Sequence, residues 1–238
     1  MTKRGGPQMS FLELSQVTFF YPPKTIPAVK RINLGLEKDG VTAIVGPNGC
    51  GKTTLTRLMI GVLQPAEGRI CLEGRPLTDY SLAEIGRRIG YVFQNPDVQL
   101  FSNTVAEEIG FGLTNQGCEP AAVEARVDFY LDYFELADYR NVFPLHLSQG
   151  EKQRLAIAAV LANEPEFLIL DEPTVGLDAY RKRLLGDYLQ KVAQLGRGML
   201  LISHDMSFVD RMAERVITME NGQIKSDSER RGNMAYDH

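Results

Sequence analysis

Apolar residues along this chain follow two rhythms. Short, largely apolar runs read as strands buried on both faces: Val41-Thr42-Ala43-Ile44-Val45, Ile89-Gly90-Tyr91-Val92-Phe93, Phe167-Leu168-Ile169-Leu170 and Met199-Leu200-Leu201-Ile202. Between them apolar positions recur at helical spacing, as at Leu55, Leu58 and Met59. Near the start, Phe11 to Phe19 partly alternates and predicts a strand, ended by Tyr21-Pro22-Pro23 because proline donates no ladder hydrogen bond. Ala28 to Glu37 predicts a second strand, and Arg69-Ile70-Cys71-Leu72 a short one turned by Glu73-Gly74. Ser81-Leu82-Ala83-Glu84 has the form of a capping box, so a helix is expected from there to about Arg88. From Thr104 to Pro144 strand signals vanish. Thr104-Val105-Ala106-Glu107 opens one helix, Ala121 to Phe134 forms a longer one, and Gly117, Pro120 and Pro144 punctuate them. Leu147-Ser148-Gln149-Gly150-Glu151 leads into a helix through about Ala162, and another runs from Asp178 to Leu195. Arg215 to Met219 and Gln223 to Lys225 pair across Asn221-Gly222, a type I′ hairpin signal. Strands alternating with helices predict a parallel sheet covered on both faces, with ligands beyond the carboxyl ends of its strands.

One break between strand and helix carries the most chemistry. Gly46-Pro47-Asn48-Gly49-Cys50-Gly51-Lys52-Thr53-Thr54 follows the run ending at Val45 and precedes the helix of Leu55 and Leu58. In that context G-x-x-x-x-G-K-[ST] is a phosphate-binding loop. Its glycines let backbone N–H groups turn inward as an anion nest, and the helix adds the positive end of its dipole. Lys52 then reaches the terminal phosphates, and the Thr53 hydroxyl binds Mg2+.

Five further residues sit at strand or helix ends. Asp171 and Glu172 close the run from Phe167. Alone, two acids there are as readily a solvated edge. Beside a phosphate-binding loop, Asp171 becomes a Mg2+ ligand and Glu172 the group that orients or deprotonates an attacking water. Gln94 ends another strand, where an amide can ligate the metal and where an ordinary turn residue also fits. His204 ends a third and can hydrogen-bond a γ-phosphate. Ser148 is expected to be an N-cap, and a helix N-terminus is a ready anion site.

Composition narrows the class. With 238 residues, 44% hydrophobic and 24% charged, the chain has material for a sizeable core. A net charge of −4 argues against a nucleic-acid binder held by phosphate contacts. Cys50, Cys71 and Cys118 show neither metal spacing nor a disulfide framework, which points to a reducing compartment. The basic start, Met1-Thr2-Lys3-Arg4-Gly5-Gly6-Pro7, lacks an apolar segment after it, and no apolar run approaches the length of a membrane span. There is no internal repeat.

Taken together, these residues resemble the ATP-binding cassette of ABC proteins over nearly the whole chain. Gly46 to Thr53 match Walker A, Gln94 the Q-loop, Leu147-Ser148-Gln149-Gly150-Glu151 the signature motif, Phe167 to Glu172 Walker B, Asp178 the D-loop and His204 the switch histidine. Tyr21 falls where the family places an aromatic that stacks on adenine. The resemblance implies an α/β P-loop NTPase fold with an antiparallel β subdomain and an inserted α-helical subdomain. It implies one domain over residues 9–226, with 9–94 and 165–226 as nucleotide-binding core, 95–164 as helical subdomain, and 1–8 and 227–238 as flexible tails. It also implies ATP and Mg2+ as cofactors, and a head-to-tail dimer in which each ATP lies between one copy's phosphate loop and the other's Ser148 and Gly150. Three positions depart from the family pattern. Gln149 stands where glycine is usual and is expected to demand particular backbone angles. Glu151 replaces glutamine and brings an acid near phosphate. Cys50 is expected to make the loop sensitive to oxidation.

The run Gly90-Tyr91-Val92-Phe93-Gln94-Asn95-Pro96-Asp97-Val98-Gln99-Leu100-Phe101, with Val105 to Gly112, resembles the ATPases of energy-coupling-factor importers, including the cobalt, nickel and biotin systems. That resemblance implies a peripheral protein on the cytoplasmic face of the membrane. Its partners are a membrane coupling subunit and a small substrate-binding membrane subunit. The short polar C-terminus favours a homodimer over a heterodimer. Docking is expected in the groove between sheet core and helical insert near residues 95–112, where Leu100 and Phe101 either serve the partner or fill the insert's core. Cobalt or nickel is the first expected cargo and biotin or another vitamin the second. A soluble ABC protein and a conventional ABC transporter are the alternatives.

Overall fold

The computed structural model describes residues 10–23 and 25–230. The expected tail of residues 1–8, and residues 231–238 of the C-terminal one, lie outside the described residues.

The strands are β1 (Leu12–Phe20), β2 (Pro27–Leu36), β3 (Val41–Val45), β4 (Glu67–Leu72), β5 (Arg75–Pro76), β6 (Ile89–Val92), β7 (Phe167–Asp171), β8 (Gly198–Ile202), β9 (Arg215–Glu220) and β10 (Gln223–Glu229). The α-helices are α1 (Lys52–Met59), α2 (Leu82–Arg88), α3 (Val105–Asn115), α4 (Pro120–Tyr133), α5 (Gln149–Ala162), α6 (Ala179–Gln194) and α7 (Met206–Met212). Every residue of β7 and β8 is buried, and Asp171 at the end of β7 is the one charged residue among them. Both lie inside a six-stranded sheet ordered β10-β9-β3-β8-β7-β6, parallel from β9 to β6. β10 adds an antiparallel edge across Asn221 and Gly222, whose φ angles of 50° and 76° are both positive, as a type I′ turn needs.

Side-chain alternation along the central strands divides the interior in two. Leu168 and Leu170 enter a core shared with α3, α4, α5 and α6. Phe167 and Ile169 enter a second core shared with α1 and a four-stranded antiparallel sheet, β2-β1-β4-β5. The parallel sheet is thus covered on both faces, with helices on one and largely a second sheet on the other. Each fully buried aliphatic or aromatic side chain contributes ~1.5–3 kcal/mol by leaving water. The predicted caps are present. Ser81 and Glu84 form the capping box of α2, and the Thr104 hydroxyl accepts the Glu107 N–H at 3.1 Å.

Two features differ from the sequence expectation. Residues 227–229, assigned to a tail, continue β10, with Asp227, Ser228 and Glu229 registered against Ile217, Val216 and Arg215. Polar residues can occupy this edge because only the ladder, and the Arg215–Asp227 pair at 2.6 Å, needs them. The second is α7, which no apolar periodicity announced over its seven residues. Its cap is Asp205, which accepts the Phe208 N–H at 3.2 Å and the Lys182 ammonium at 2.7 Å.

Hydrogen bonds from Lys182 and then Ser207 pull the Asp205 carboxyl down to about 2. A folded pKa below the ordinary 3.8 makes this contribution complete above that pH and removes it as pH falls toward 2. Lys182→Met is expected to cost about 1 kcal/mol near neutral pH, the half-exposed lysine keeping the figure small. Urea unfolding at decreasing pH checks this: the gap to the parent chain closes below about pH 4, and a pH-independent gap rules out the assignment.

Candidate active site

Sheet order sets the site. The parallel strands β3, β8, β7 and β6 lie side by side. Their carboxyl ends therefore bring the loop after Val45, His204, Asp171-Glu172 and Gln94 to one edge. The loop at residues 46–51 is held tightly at both ends. Gly46 has φ 150° and Gly51 φ 104°, and a Cβ on them would lie 2.2 Å from the Met219 carbonyl and 2.4 Å from the Ala28 carbonyl. No other residue type fits there. The hairpin turn supports the loop too, because the Gly222 N–H donates to the Cys50 carbonyl at 3.0 Å.

Within this loop Pro47, Asn48 and Gly49 are exposed. Lys52 is buried, and its ammonium donates to the carbonyls of Gly46 at 2.7 Å and Pro47 at 3.1 Å. The lysine thus spans its own loop, poised where an anion would sit. Thr54 is buried, with its hydroxyl 3.4 Å from the Tyr21 hydroxyl. Tyr21 is half exposed and meets Phe19 edge-on at 4.9 Å. Cys50 corrects an expectation: its side chain is buried in the second core, so its thiol is shielded from the solvent oxidants the sequence suggested.

Asp171 ends β7 almost fully buried. Burial raises its pKa, and hydrogen bonds from Thr53 and Tyr91 work against that rise. Tyr91 donates to Oδ2 at 3.2 Å and its hydroxyl also pairs with the Thr56 hydroxyl at 2.9 Å. Oδ1 is buried without any hydrogen-bond partner in the protein. A buried carboxylate oxygen with no donor, beside a threonine hydroxyl, is the donor set of a hard cation. Thr53 and Asp171 therefore fit Mg2+. Gln94 is exposed beyond β6, and no hydrogen bond from the described residues fixes its amide. Among the described residues no cluster of three or more His, Cys, Asp or Glu forms a metal cage of its own.

Glu172 is buried and takes a left-handed backbone with φ 52°. Its side chain is therefore aimed by a turn and not by strand alternation. The carboxylate oxygen Oε2 accepts the His204 backbone N–H at 3.2 Å and lies 2.8 Å from His204 Nδ1. The His204 side chain is itself mostly exposed. One face of the imidazole is anchored to the acid and the rest is open to a ligand.

Ser148 caps α5 as expected. Its N–H donates to Glu151 Oε2 at 2.7 Å, and its hydroxyl accepts the Glu151 N–H at 3.4 Å. Two departures noted in the sequence resolve here. Gln149 is the first residue of an ordinary right-handed helix, so a side chain there requires no special torsion. The Glu151 carboxylate is engaged by hydrogen bonds within its own chain. Burial favours its neutral form, yet hydrogen bonds from Tyr139 and Ser148 hold the carboxyl below its usual range. Gly150 packs against the chain before Asp178, where a Cβ would lie 2.8 Å from the Gly176 carbonyl. Asp178 caps α6, accepting the Arg181 N–H at 2.8 Å. Among the described residues no hydrogen bond or ion pair joins residues 147–151 to residues 46–54 of the same chain.

Sequence reading missed three supporting residues. Tyr91 and Thr56 brace Asp171, and Gln99 braces the segment after β6, accepting the Phe93 N–H at 3.0 Å. The available signal was a hydroxyl inside an apolar pattern, which must find a partner once buried.

Comparison with known proteins agrees with this geometry. Residues 29–175 match the family model described as ABC transporter. Two relatives from Methanosarcina acetivorans and Methanosarcina mazei are 45% and 43% identical over 83% and 84% of this chain. The chain spans about a third of their length, 32% and 34%. An energy-coupling factor transporter ATP-binding protein, EcfA of Methanothermobacter thermautotrophicus, is 41% identical over 90% of this chain and 69% of its own. Among solved structures, the ATP-binding cassette MJ0796, dimeric and bound to ADP and Pi after hydrolysis, superposes with TM-score 0.84. It is 27% identical over 93% of this chain and 99% of its own. The cbiO1 protein of Clostridium perfringens, part of the ABC transporter complex cbiONQ, has TM-score 0.78 and 34% identity over 93% of this chain and 89% of its own. This chain belongs to the ABC transporter family, as an ATP-binding domain with the P-loop NTPase fold.

Proposed function

We propose that this chain hydrolyses ATP to drive an importer of the energy-coupling-factor type. The observation that carries hydrolysis is the buried Glu172 carboxylate, one residue from the cation-ready Asp171 and held by the His204 ring. In this reading residues 46–54 cradle the phosphates, and Lys52 exchanges its loop carbonyls for phosphate oxygens. Tyr21 stacks on adenine. Thr53, Asp171 and Gln94 would hold Mg2+, which would supply charge neutralisation for the phosphates. Glu172 takes a proton from the attacking water at its carboxylate, and His204 orients that acid while facing the γ-phosphate.

Separation of Ser148 from the phosphate loop within one chain supports a head-to-tail dimer. Each signature segment, Leu147 to Glu151, then completes the partner's site, with Asp178 beside it. A homodimer is the simpler assembly, and a heterodimer with a related cassette uses the same surfaces.

Two observations support the importer reading. EcfA and cbiO1 are relatives by sequence or structure. A groove of about 580 Å³ also opens between α2 and the helical segment, lined by Leu82, Arg87, Phe93, Phe101 and Phe111. Leu100 is buried and fills the insert's core, whereas Phe101 is exposed and meets Phe111 edge-on at 4.7 Å. This groove is our docking site for the membrane coupling subunit, which carries a substrate-binding membrane subunit. The chain then sits at the cytoplasmic face of the membrane. Among the described residues no helix is long and apolar enough to cross a membrane. Cargo is a micronutrient, cobalt or nickel ion first and biotin or another vitamin second.

Co-purification from gently solubilised membranes tests the importer reading. Recovery with a coupling subunit and a small multi-span protein is expected, and recovery as a chain without membrane partners counts against it. Glu172→Gln is expected to lower ATP turnover by about 10²-fold or more while ATP is still bound. Unchanged hydrolysis removes Glu172 from its role. Tyr91→Phe is expected to raise the half-saturating Mg2+ concentration for hydrolysis about tenfold, because the carboxylate that holds the ion loses its brace. An unaltered Mg2+ titration contradicts that placement.

A further inference from the structure

Glu135 sits just after α4, at φ 53°, where the chain turns away from the helix. Its carboxylate meets groups from two other helices. Arg154, buried in the second turn of α5, brings Nη1 to 3.5 Å from Oε2 and also donates to the carbonyls of Phe134 and Glu135. Arg181, in the first turn of α6, brings Nη2 to 3.5 Å from the same oxygen. Tyr180, just before Arg181, hydrogen-bonds the carboxylate through its hydroxyl. α5 begins at the Ser148 cap, and α6 begins at the Asp178 cap.

Charge explains why an acid is needed there. Two guanidinium groups from α5 and α6 face one another, and after burial the charge of Arg181 is the largest influence lowering the Arg154 pKa. Glu135 is the carboxylate that touches both. The charge of Glu151, which accepts the Ser148 N–H, also favours the charged form of Arg154. Arg181 likewise holds Asp178, with Nη1 2.5 Å from Oδ2. Ion pairs therefore join Arg154, Glu135, Arg181 and Asp178 in sequence, with Glu151 and the Ser148 cap at the α5 end. Near the ends of this series the two backbones touch, Gly150 against Gly176.

We propose that Glu135 is a positioning residue whose carboxylate clamps the start of α5 to the start of α6, so that Ser148 and Asp178 meet the second copy's nucleotide as one rigid edge. This rests on the head-to-tail dimer proposed above. It assigns Glu135 no contact with its own chain's nucleotide. Its loss therefore weakens ATP-dependent association and leaves nucleotide binding by the single chain intact.

The test compares Glu172→Gln with the double variant Glu172→Gln, Glu135→Gln, using light scattering on a sizing column with ATP and Mg2+, and a fluorescent ATP analogue to measure nucleotide affinity. The single variant is expected to dimerise. The double variant is expected to need about tenfold more protein to dimerise, with nucleotide affinity unchanged and Glu135→Asp restoring part of the loss. Equal dimerisation of the two variants overturns the clamp. A Glu172→Gln chain that stays monomeric at saturating ATP overturns the dimer reading and the clamp with it. If Glu135→Gln unfolds, Tyr180→Phe replaces it, removing only an exposed hydroxyl. A smaller shift in the same direction then supports the clamp, and no shift overturns it.

Discussion

A carboxylate buried at the end of a central strand governs this molecule. Asp171 sits where desolvation disfavours its charge, and that position is tolerable only because hydroxyls from two other elements reach it. Thr53 comes from α1, which the glycine loop aims. Tyr91 comes from β6, at the opposite side of β7 from β8. For these groups to converge, the parallel order β3-β8-β7-β6 must hold, and it holds because both faces of those strands are buried. The apolar content of the strands thus fixes where the charged atoms lie.

The same logic separates the two chemical halves of the chain. The phosphate loop belongs to the core shared with the antiparallel sheet, whereas the Ser148 cap belongs to helices packed on the opposite face. Among the described residues no hydrogen bond or ion pair joins them in one copy. In the proposed head-to-tail dimer a site built from both needs two copies, and opening or closing that assembly would be a large motion controlled by small groups at its edge. Glu135 and its two arginines stand where that edge is made rigid.

Partner docking adds a third demand. Phe101 and Phe111 are exposed aromatics that meet edge-on, and a buried acid fixes the backbone at Phe101. Glu108 accepts the N–H groups of Phe101 and Ser102 at 2.9 and 2.7 Å. An apolar surface on a braced loop loses little entropy when covered, which suits the docking proposed for this groove.

Much of this was legible in the chain itself. Short-range patterns were enough wherever a residue acts on near neighbours. The capping box of Ser81, the N-cap at Ser148, the Asn221-Gly222 hairpin, the glycine loop before Lys52 and the buried runs at 41–45, 167–170 and 199–202 each depend on a few adjacent residues. Apolar periodicity failed at α7, because a seven-residue helix capped by Asp205 and tied to Lys182 draws its stability from a contact 23 positions away. It failed likewise at residues 227–229, whose polar side chains pair along an edge. Tertiary structure alone decided that Cys50 is shielded, that Tyr139 reaches Glu151, that Tyr91 braces Asp171 and that Glu135 joins Arg154 to Arg181. The physical reason is common to all four: burial and long-range pairing are properties of packed elements, and no local pattern of residues encodes which distant side chain will fill a buried hydrogen bond.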